Sequence, residues 1–235
     1  MTKYDFTTLP NRLTHHTYKW KETETDPEII PAWIADMDFN VIPEVREAVI
    51  GYADQMVYGY TYASDSLYQS ILDWEEEHGY SFEKEAVVFI EGVVPAISTA
   101  IQAFTKEGDA VLINTPVYPP FARSVKLNRR KLIENSLVEK DGLFQIDFDQ
   151  LEKDIVEQDV KLYVLCNPHN PGGRVWDREV LEKIGHLCQK HGVLLVSDEI
   201  HQDLALFGHR HTSFNTVDPS FKDFSLILTS ATKTF

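Results

Sequence analysis

Cysteine is scarce in this sequence, with only Cys166 and Cys188 among 235 residues. Small secreted proteins that depend on disulfides use cysteine far more densely, so a disulfide framework is excluded as the basis of the fold. One cysteine falls in a predicted strand and the other in a predicted helix. We therefore expect both to be free thiols in a reducing compartment.

Long hydrophobic runs are also missing. No apolar stretch approaches the ~20 residues that a membrane-spanning helix needs. The first six residues, Met-Thr-Lys-Tyr-Asp-Phe, contain none of the apolar segment that a secretory signal peptide requires. The expected location is therefore the cytoplasm.

Basic residues are the third shortage, with 22 Lys and Arg against 37 Asp and Glu and a net charge of −15. This charge opposes non-specific binding to nucleic acid or to anionic membranes, so neither is an expected partner. It still allows a local positive pocket for a phosphorylated small molecule. The hydrophobic content of 43% is ordinary for a globular protein, and the length suffices for a sizeable core.

What the sequence does contain, from residue 86 onward, is an alternation of apolar strands and amphipathic helices. This pattern predicts an α/β fold, a three-layer sandwich whose mostly parallel sheet is covered by helices on both faces. Asp147 is the expected N-cap of one helix, and Gly192 is expected to end another. We predict strands at residues 86–90, 110–114, 161–166, 193–197 and 224–229. Residues 138–146 are expected to form a polar excursion or a hairpin. Helices are predicted at 44–56, 67–78, 95–105, 121–128, 148–157 and 178–190.

Residues with useful chemistry follow the predicted strands. In an open α/β sheet, ligands bind beyond the carboxyl ends of the strands. Gly92 precedes a helix whose first N–H groups suit an anion, and prolines on both sides hold Tyr118 rigidly. Asn170 lies in residues 167–173 (Asn-Pro-His-Asn-Pro-Gly-Gly). Taken singly, ordinary turns explain the glycine and the tyrosine, but not readily the whole of residues 167–173.

Two charged residues follow the last two predicted strands. Asp198 comes directly after an apolar run, so its carboxylate should be partly desolvated and in need of a cation. Lys233 follows a strand predicted to be buried, and Ser230 lies three residues before it. An amine in a partly dry pocket loses proton affinity, which frees it to attack a carbonyl. Taken singly, Asp198 fits a helix cap and Lys233 fits a solvated loop lysine.

Together these residues supply an anion site, a stacking ring, an amide, a carboxylate and an amine at one edge of one sheet. That set matches the requirements of pyridoxal 5′-phosphate (PLP). The expected contacts are the phosphate with the helix N-terminus and Ser230, the ring face with Tyr118, the ring oxygen with Asn170 and His201, the ring nitrogen with Asp198, and the aldehyde carbon with Lys233.

Residues 167–173 and 230–233 (Ser-Ala-Thr-Lys) resemble the fold-type I PLP-dependent enzymes, the class I/II aminotransferase superfamily, and the resemblance covers about residues 30–235. Within it, the chain is most similar to the cystathionine β-lyase branch, the cysteine C–S lyases of the MalY/PatB type. Three segments carry that similarity: residues 33–39 (Trp-Ile-Ala-Asp-Met-Asp-Phe), 58–60 (Tyr-Gly-Tyr) and 198–204 (Asp-Glu-Ile-His-Gln-Asp-Leu).

The resemblance implies that Lys233 is catalytic. It also implies β-elimination on cystathionine or cysteine S-conjugates, which gives a thiol, pyruvate and ammonia. A PLP-dependent aminotransferase would use the same Lys233 and Asp198 and stays as the alternative, as does a non-catalytic fragment.

Further roles follow from the resemblance alone. Gly92, Val93 and Val94 would form the phosphate cradle, Tyr60 would reach the phosphate in the neighbouring subunit of a homodimer, and Ala35 and Asp36 would lie beside the carboxylate of an amino-acid substrate.

The resemblance also implies a domain organisation. Residues 1–45 are expected to belong to the small domain and the active-site rim, and residues 46–235 to an incomplete PLP-binding large domain. Members of the family continue well beyond the lysine. We therefore expect the C-terminal small domain, and the arginine that grips the substrate carboxylate, to be absent.

Two other interpretations find less support. A nucleotide-binding α/β enzyme would carry a glycine-rich fingerprint after its first strand, which residues 91–95 do not supply. His201, His209 and His211 offer imidazoles, but no pattern of Asp, Glu or Cys completes a metal site. We expect no metal, and we expect the two loop histidines, His209 and His211, to be solvated.

Overall fold

Two compact units make up the computed structural model, which describes residues 4–235. The smaller unit runs as far as Ala63 and includes Phe235, and the larger comprises Ser64–Thr234. The domain boundary expected from the sequence, after residue 45, stays a prediction.

The smaller unit is organised around a cluster of charges. The carboxylate of Asp38 accepts hydrogen bonds from Nζ of Lys19 at 2.6 Å and from Nη1 of Arg12 at 2.8 Å. These two cations hold the pKa of Asp38 below its usual value against the opposing effect of burial. The helices of this unit are two 3₁₀ helices, Leu13–His15 and Tyr18–Glu24, and the α-helix α1, Pro43–Ala53.

The larger unit alternates strands and helices as predicted. Its α-helices are α2 (Asp65–Glu77), α3 (Val93–Phe104), α4 (Pro120–Leu127), α5 (Phe148–Glu157) and α6 (Arg178–His191). Its strands are β1 (Ala110–Thr115), β2 (Lys131–Ser136), β3 (Val138–Lys140), β4 (Leu143–Gln145), β5 (Val160–Cys166), β6 (Leu194–Asp198) and β7 (Ser225–Leu228).

Local signals in the sequence explain where two of these helices begin or end. The side chain of Asp147 accepts a hydrogen bond from the N–H of Gln150 and caps α5, as predicted. Gly192 ends α6 in the left-handed conformation, with φ of 66°, which a residue without a Cβ adopts at no steric cost. The predicted hairpin is also present, because β3 and β4 pair antiparallel.

Five strands form a parallel sheet in the order β2–β1–β5–β6–β7. Side chains of a strand point alternately to its two faces. In β5, Tyr163 and Leu165 pack with α5 and α6 on one face, whereas Leu162 and Val164 pack with α3 and α4 on the other. The sheet therefore has helices on both faces, and the predicted three-layer α/β architecture is confirmed.

Two predictions about strands are wrong, and one strand was not predicted. Residues 86–90 form no strand, and the side chain of Val88 is 83% exposed, since no described strand lies alongside to pair with it. Strand β2 escapes prediction because polar residues interrupt its apolar pattern, as an edge position allows. Strand β7 is half-buried rather than buried, because it has a strand neighbour on one side only.

Candidate active site

The carboxyl ends of three neighbouring strands are aligned in the sheet. Cys166 at the end of β5 pairs in register with Asp198 at the end of β6, and Asp198 pairs with Leu228 at the end of β7. The N–H of Glu199 continues this row by donating to the carbonyl of Leu228 at 2.7 Å. The segments that follow β5, β6 and β7 therefore start from one line across the sheet.

Asp198 is the buried carboxylate of this edge. Its side chain accepts a hydrogen bond from the N–H of Ile200 at 3.1 Å, and the residue is only 5% exposed. Burial raises the pKa of Asp198 to about 6, whereas the charge of Lys233 acts to lower it. Among residues 4–235, no Lys, Arg or His side chain has a nitrogen within 4.0 Å of the carboxylate oxygens of Asp198. The predicted desolvated carboxylate is present, and it can accept a further cationic partner.

Lys233 lies in a short 3₁₀ turn, Ala231–Lys233, directly after β7. The hydroxyl of Ser230 caps this turn by accepting the N–H of Thr232 at 3.3 Å. Burial lowers the pKa of His201, and the charge of Lys233 lowers it further. Asp198 ends β6 and its in-register partner Leu228 ends β7, so His201 and Lys233 lie in the segments that follow two paired strand ends.

Tyr118 and Asn170 are joined through their backbones. The N–H of Tyr118 donates to the carbonyl oxygen of Asn170 at 3.0 Å, which ties the segment after β1 to the segment after β5. The ring of Tyr118 is 43% exposed and makes an edge contact with Phe121. An exposed aromatic face at the edge of the sheet is available for stacking.

The buried thiol of Cys166 forms hydrogen bonds with the loop that contains Asn170. The N–H of Asn170 donates to Sγ of Cys166 at 3.3 Å, and that thiol donates to the carbonyl of Pro168. Burial raises the pKa of Cys166 to about 12, so it stays protonated and serves as a hydrogen-bonding group. Both Cys166 and Cys188 are free, as expected, and both are buried.

Gly172 fits this loop because it has no side chain. A Cβ there would lie 2.6 Å from Nδ1 of His169 and 2.9 Å from the ring of Phe144. His169 is itself buried, which lowers its pKa to about 4. A neutral imidazole and a glycine therefore set the shape of the Asn-Pro-His-Asn-Pro-Gly-Gly turn.

The N-terminus of α3 belongs to the same hydrophobic cluster as residues at this edge of the sheet. Gly92 precedes the helix with φ of 151°, and no side chain caps the first turn. Val93 belongs to a buried cluster against which Ile200 and Leu228, from the segments at the carboxyl edge, are packed. The first N–H groups of α3 thus provide the partial positive charge that attracts a phosphate.

Three predicted residues lie in the smaller unit. Tyr60 is fully exposed and Ala35 is exposed. Asp36 forms an ion pair with Arg12, and its backbone carbonyl accepts a hydrogen bond from Nζ of Lys19 at 2.8 Å. Their roles toward a cofactor or substrate stay predictions.

Sequence reasoning missed Glu199, which follows Asp198 and is fully buried. Its Oε1 atom accepts hydrogen bonds from the hydroxyl of Ser197 at 2.8 Å and from the N–H of Phe214 at 2.9 Å. Its Oε2 atom lies 3.0 Å from Nε2 of His211. The expectation that His211 is solvated is therefore wrong, because its side chain is only 10% exposed and packs on this carboxylate.

No local sequence pattern predicts these contacts of Glu199. Its partners lie in a later loop and in the preceding strand, and a Glu beside an Asp at a strand end is common in ordinary polar turns. The one signal was that Glu199 lies between Asp198 and the apolar Ile200.

The site has the chemistry that a PLP molecule requires. A buried carboxylate with raised pKa can be satisfied by a protonated ring nitrogen, since a nearby positive charge favours the ionised form. The uncapped helix N-terminus suits a phosphate, the exposed Tyr118 ring suits a flat aromatic, and Lys233 supplies an amine. The residues present therefore fit the cofactor predicted from the sequence.

Comparison with known proteins identifies the family. The sequence model described as "Aminotransferase class I and II" matches residues 34–235. The chain belongs to this family. The prediction from residues 167–173 and 230–233 is confirmed.

Two similar proteins come from bacteria, and one of them is a cystathionine beta-lyase. The chain is 42% identical over 235 residues to cystathionine beta-lyase PatB of Bacillus subtilis, a match that covers 98% of the chain and 61% of that protein. It is 32% identical to protein MalY of Escherichia coli, covering 88% of the chain and 53% of that protein.

A solved structure gives the same result for the fold. The crystal structure of cystalysin from Treponema denticola, which contains a pyridoxal 5′-phosphate cofactor, superposes with a TM-score of 0.93 at 39% identity. The match covers 99% of this chain and 60% of cystalysin. The chain thus spans about 60% of the length of PatB and of cystalysin.

Proposed function

We propose that this chain carries the PLP site of a carbon–sulfur lyase. The observation that supports this best is the alignment of the buried Asp198 with the segment that ends in Lys233, at the carboxyl edge of the sheet. The similarity to cystathionine beta-lyase PatB favours β-elimination on cystathionine or cysteine S-conjugates.

In this proposal, different residues of the chain bind different parts of PLP. The N-terminus of α3, from Gly92 to Val94, and the hydroxyl of Ser230 bind the phosphate. Tyr118 stacks on the ring, and Asn170 and His201 bind its oxygen. Asp198 would accept a hydrogen bond from the protonated ring nitrogen, and that positive charge would keep the carboxylate ionised although burial alone raises its pKa to about 6. The amine of Lys233 would hold the aldehyde carbon.

In the reaction, Lys233 acts as the base. When bound, PLP supplies an electron sink that stabilises negative charge at the substrate Cα. Once the substrate amine has replaced it on the aldehyde carbon, the free amine of Lys233 would remove the proton from that Cα. With a thiolate leaving group on Cβ, the electron pair at Cα would form a Cα=Cβ bond, and the thiolate would leave with the electron pair of the Cβ–S bond. Hydrolysis of the resulting three-carbon enamine by water would give pyruvate and ammonia.

The proposal extends to the assembly and the location. The active form is a homodimer in the cytoplasm, in which the exposed Tyr60 binds the phosphate in the neighbouring subunit. Ala35 and Asp36 lie beside the carboxylate of the amino-acid substrate. Residues 1–45 form part of the rim, and residues 46–235 form the larger part of the PLP-binding domain.

The test uses the complete protein with PLP and cystathionine. We expect pyruvate, ammonia and thiol in equal amounts, and Lys233→Ala should lose both the product and the visible absorbance band that PLP gains on bonding to a lysine. Lys233→Arg is the matched control, because it keeps the charge without an amine that can bond to the aldehyde. Absence of pyruvate and thiol from the wild-type protein would overturn the lyase proposal.

An aminotransferase is the second candidate, because the family description itself names that activity. It would need the same Lys233 and Asp198, with the proton returned to the cofactor carbon in place of loss of a thiolate. Assay with an amino acid that has no leaving group on Cβ, together with a 2-oxo acid, separates the two. Amino-group exchange without thiol release would favour the aminotransferase, and a chain without the absorbance band would be non-catalytic.

A further inference from the structure

The turn that carries Lys233 forms few hydrogen bonds with the rest of the larger unit. The hydroxyl of Ser230 contacts the hydroxyl of Thr232 at 2.9 Å, and the N–H of Thr234 donates to the carbonyl of Ala231 at 3.2 Å. Both bonds stay inside the turn. Of the side-chain hydrogen bonds of residues 230–234, one leaves it: Oγ1 of Thr234 donates to Oδ2 of Asp203 at 2.8 Å.

The carboxylate of Asp203 is itself held in place by other contacts. Its side chain is 10% exposed, and its Oδ1 atom accepts a hydrogen bond from Nε1 of Trp74 at 3.2 Å. Nε2 of His78 lies 3.7 Å from the same oxygen. Trp74 lies in α2 and His78 directly follows its last residue, so Asp203 joins the Lys233 turn to the C-terminal end of this helix.

A second bond holds the Asp203 segment on α2. Nε2 of Gln202 donates to Oε1 of Glu75 at 2.7 Å, and both of these residues are buried. The 3₁₀ turn Gln202–Leu204 is therefore fixed at two neighbouring positions. His201, which feels the charge of Lys233, directly precedes this turn.

We infer that Asp203 is a positioning residue that fixes the Lys233 turn through the hydroxyl of Thr234. The inference rests on the proposed role of Lys233 toward PLP. A lysine side chain has considerable rotamer freedom, and a base or nucleophile is effective only when it is held near the reacting atom. Asp203 restricts the backbone from which Lys233 extends, and it does so through Thr234.

The experiment compares two substitutions of Thr234. Thr234→Val removes the hydroxyl and keeps the shape, whereas Thr234→Ser keeps the hydroxyl. Thr216→Val is the matched control, because it removes a hydroxyl that donates to the carbonyl of Ser213 at 2.7 Å in a different turn. The first readout is amide hydrogen exchange of residues 229–235 in the cofactor-free protein, measured by mass spectrometry.

We expect Thr234→Val to speed this exchange about tenfold, the scale of one hydrogen bond to a charged group. Thr234→Ser and Thr216→Val should leave it unchanged. Asp203→Asn should speed the exchange in the wild-type background and add little in the Thr234→Val background, because the two residues share one bond. Unchanged exchange in Thr234→Val would overturn the inference.

The second readout is PLP titration, followed through its visible absorbance band. Thr234→Val should bind PLP about tenfold more weakly than the wild-type protein, with rescue by Thr234→Ser. Equal binding by the valine variant and the wild type would overturn the positioning role. If exchange responds but the wild-type protein shows no band, the anchoring by Asp203 stands and the proposed PLP function fails.

Discussion

The Oε2 atom of Glu199 lies 3.0 Å from Nε2 of His211, and the side chain of Glu199 is fully buried. This carboxylate also accepts hydrogen bonds from Ser197 and from the backbone of Phe214, so it joins the end of β6 to the loop that leads to β7. Its contribution to stability should therefore be large.

Glu199→Ala should destabilise the protein by about 3–5 kcal/mol, because it leaves a buried imidazole and two further donors without their acceptor. Urea denaturation measures the change. Glu182→Ala is the matched control, since Glu182 faces His186 at 3.9 Å with both side chains 54% exposed. We expect the control to change stability by no more than about 0.5 kcal/mol. Equal effects in the two variants would contradict this account of Glu199.

Asp198 should make the cofactor-free protein less stable as the pH rises from about 4 to about 6. Burial raises its pKa from 3.8 to about 6, so in this window the folded chain holds a proton that the unfolded chain has lost. The loss amounts to about 3 kcal/mol. Asp198→Asn should abolish it, so the variant should gain stability relative to wild type between pH 4 and 6. A constant difference across this window in urea titrations would refute the prediction.

His169 should act in the opposite direction over nearly the same window. Burial lowers its pKa from 6.5 to about 4, so the unfolded chain takes up a proton before the folded chain does. The stability that the neutral imidazole provides above pH 6.5 is therefore lost as the pH falls toward 4, by about 3 kcal/mol. His169→Gln should remove this acid sensitivity. The expectation fails if the variant and wild type lose stability in parallel between pH 6.5 and 4.

Gly185 and Gly51 should respond oppositely to alanine. A Cβ at Gly185, in α6, would lie 2.1 Å from the ring of Phe221, so Gly185→Ala should cost about 1–3 kcal/mol through overpacking. A Cβ at Gly51, in α1, meets nothing within 4 Å. Gly51→Ala should therefore stabilise its helix by about 0.5–1 kcal/mol. Thermal unfolding followed by circular dichroism checks both signs.

Local signals allowed much of the fold to be predicted. The cap at Asp147 and the stop at Gly192 act within a few residues, and so they can be recognised in the sequence. The apolar residues 86–90 could not be placed correctly, because a strand depends on a neighbour and its own composition does not reveal one. Strand β2 was missed for the related reason that an edge strand tolerates polar residues.

The site residues that directly follow strands could be predicted from the sequence. The hydrogen bonds between segments that are distant in the sequence could not. Asp198 and Lys233 each follow an apolar run, and parallel strands bring such ends to one edge. The hydrogen bonds of Glu199 and of Asp203 join segments that no periodic pattern links. Thr234 gave no sequence signal at all, because a threonine after a lysine is ordinary until the acceptor opposite it is known.

The all-parallel pairing of the five-stranded sheet has a consequence for folding kinetics. No two of its neighbouring strands can be joined by a tight turn, so every pairing must close a long loop before it contributes energy. The β3–β4 hairpin can form early, whereas Asp198 and Lys233 come together only after distant strands have docked. Until then the apolar strands β1, β5 and β6 are exposed, and a newly synthesised chain is most prone to aggregate during that interval.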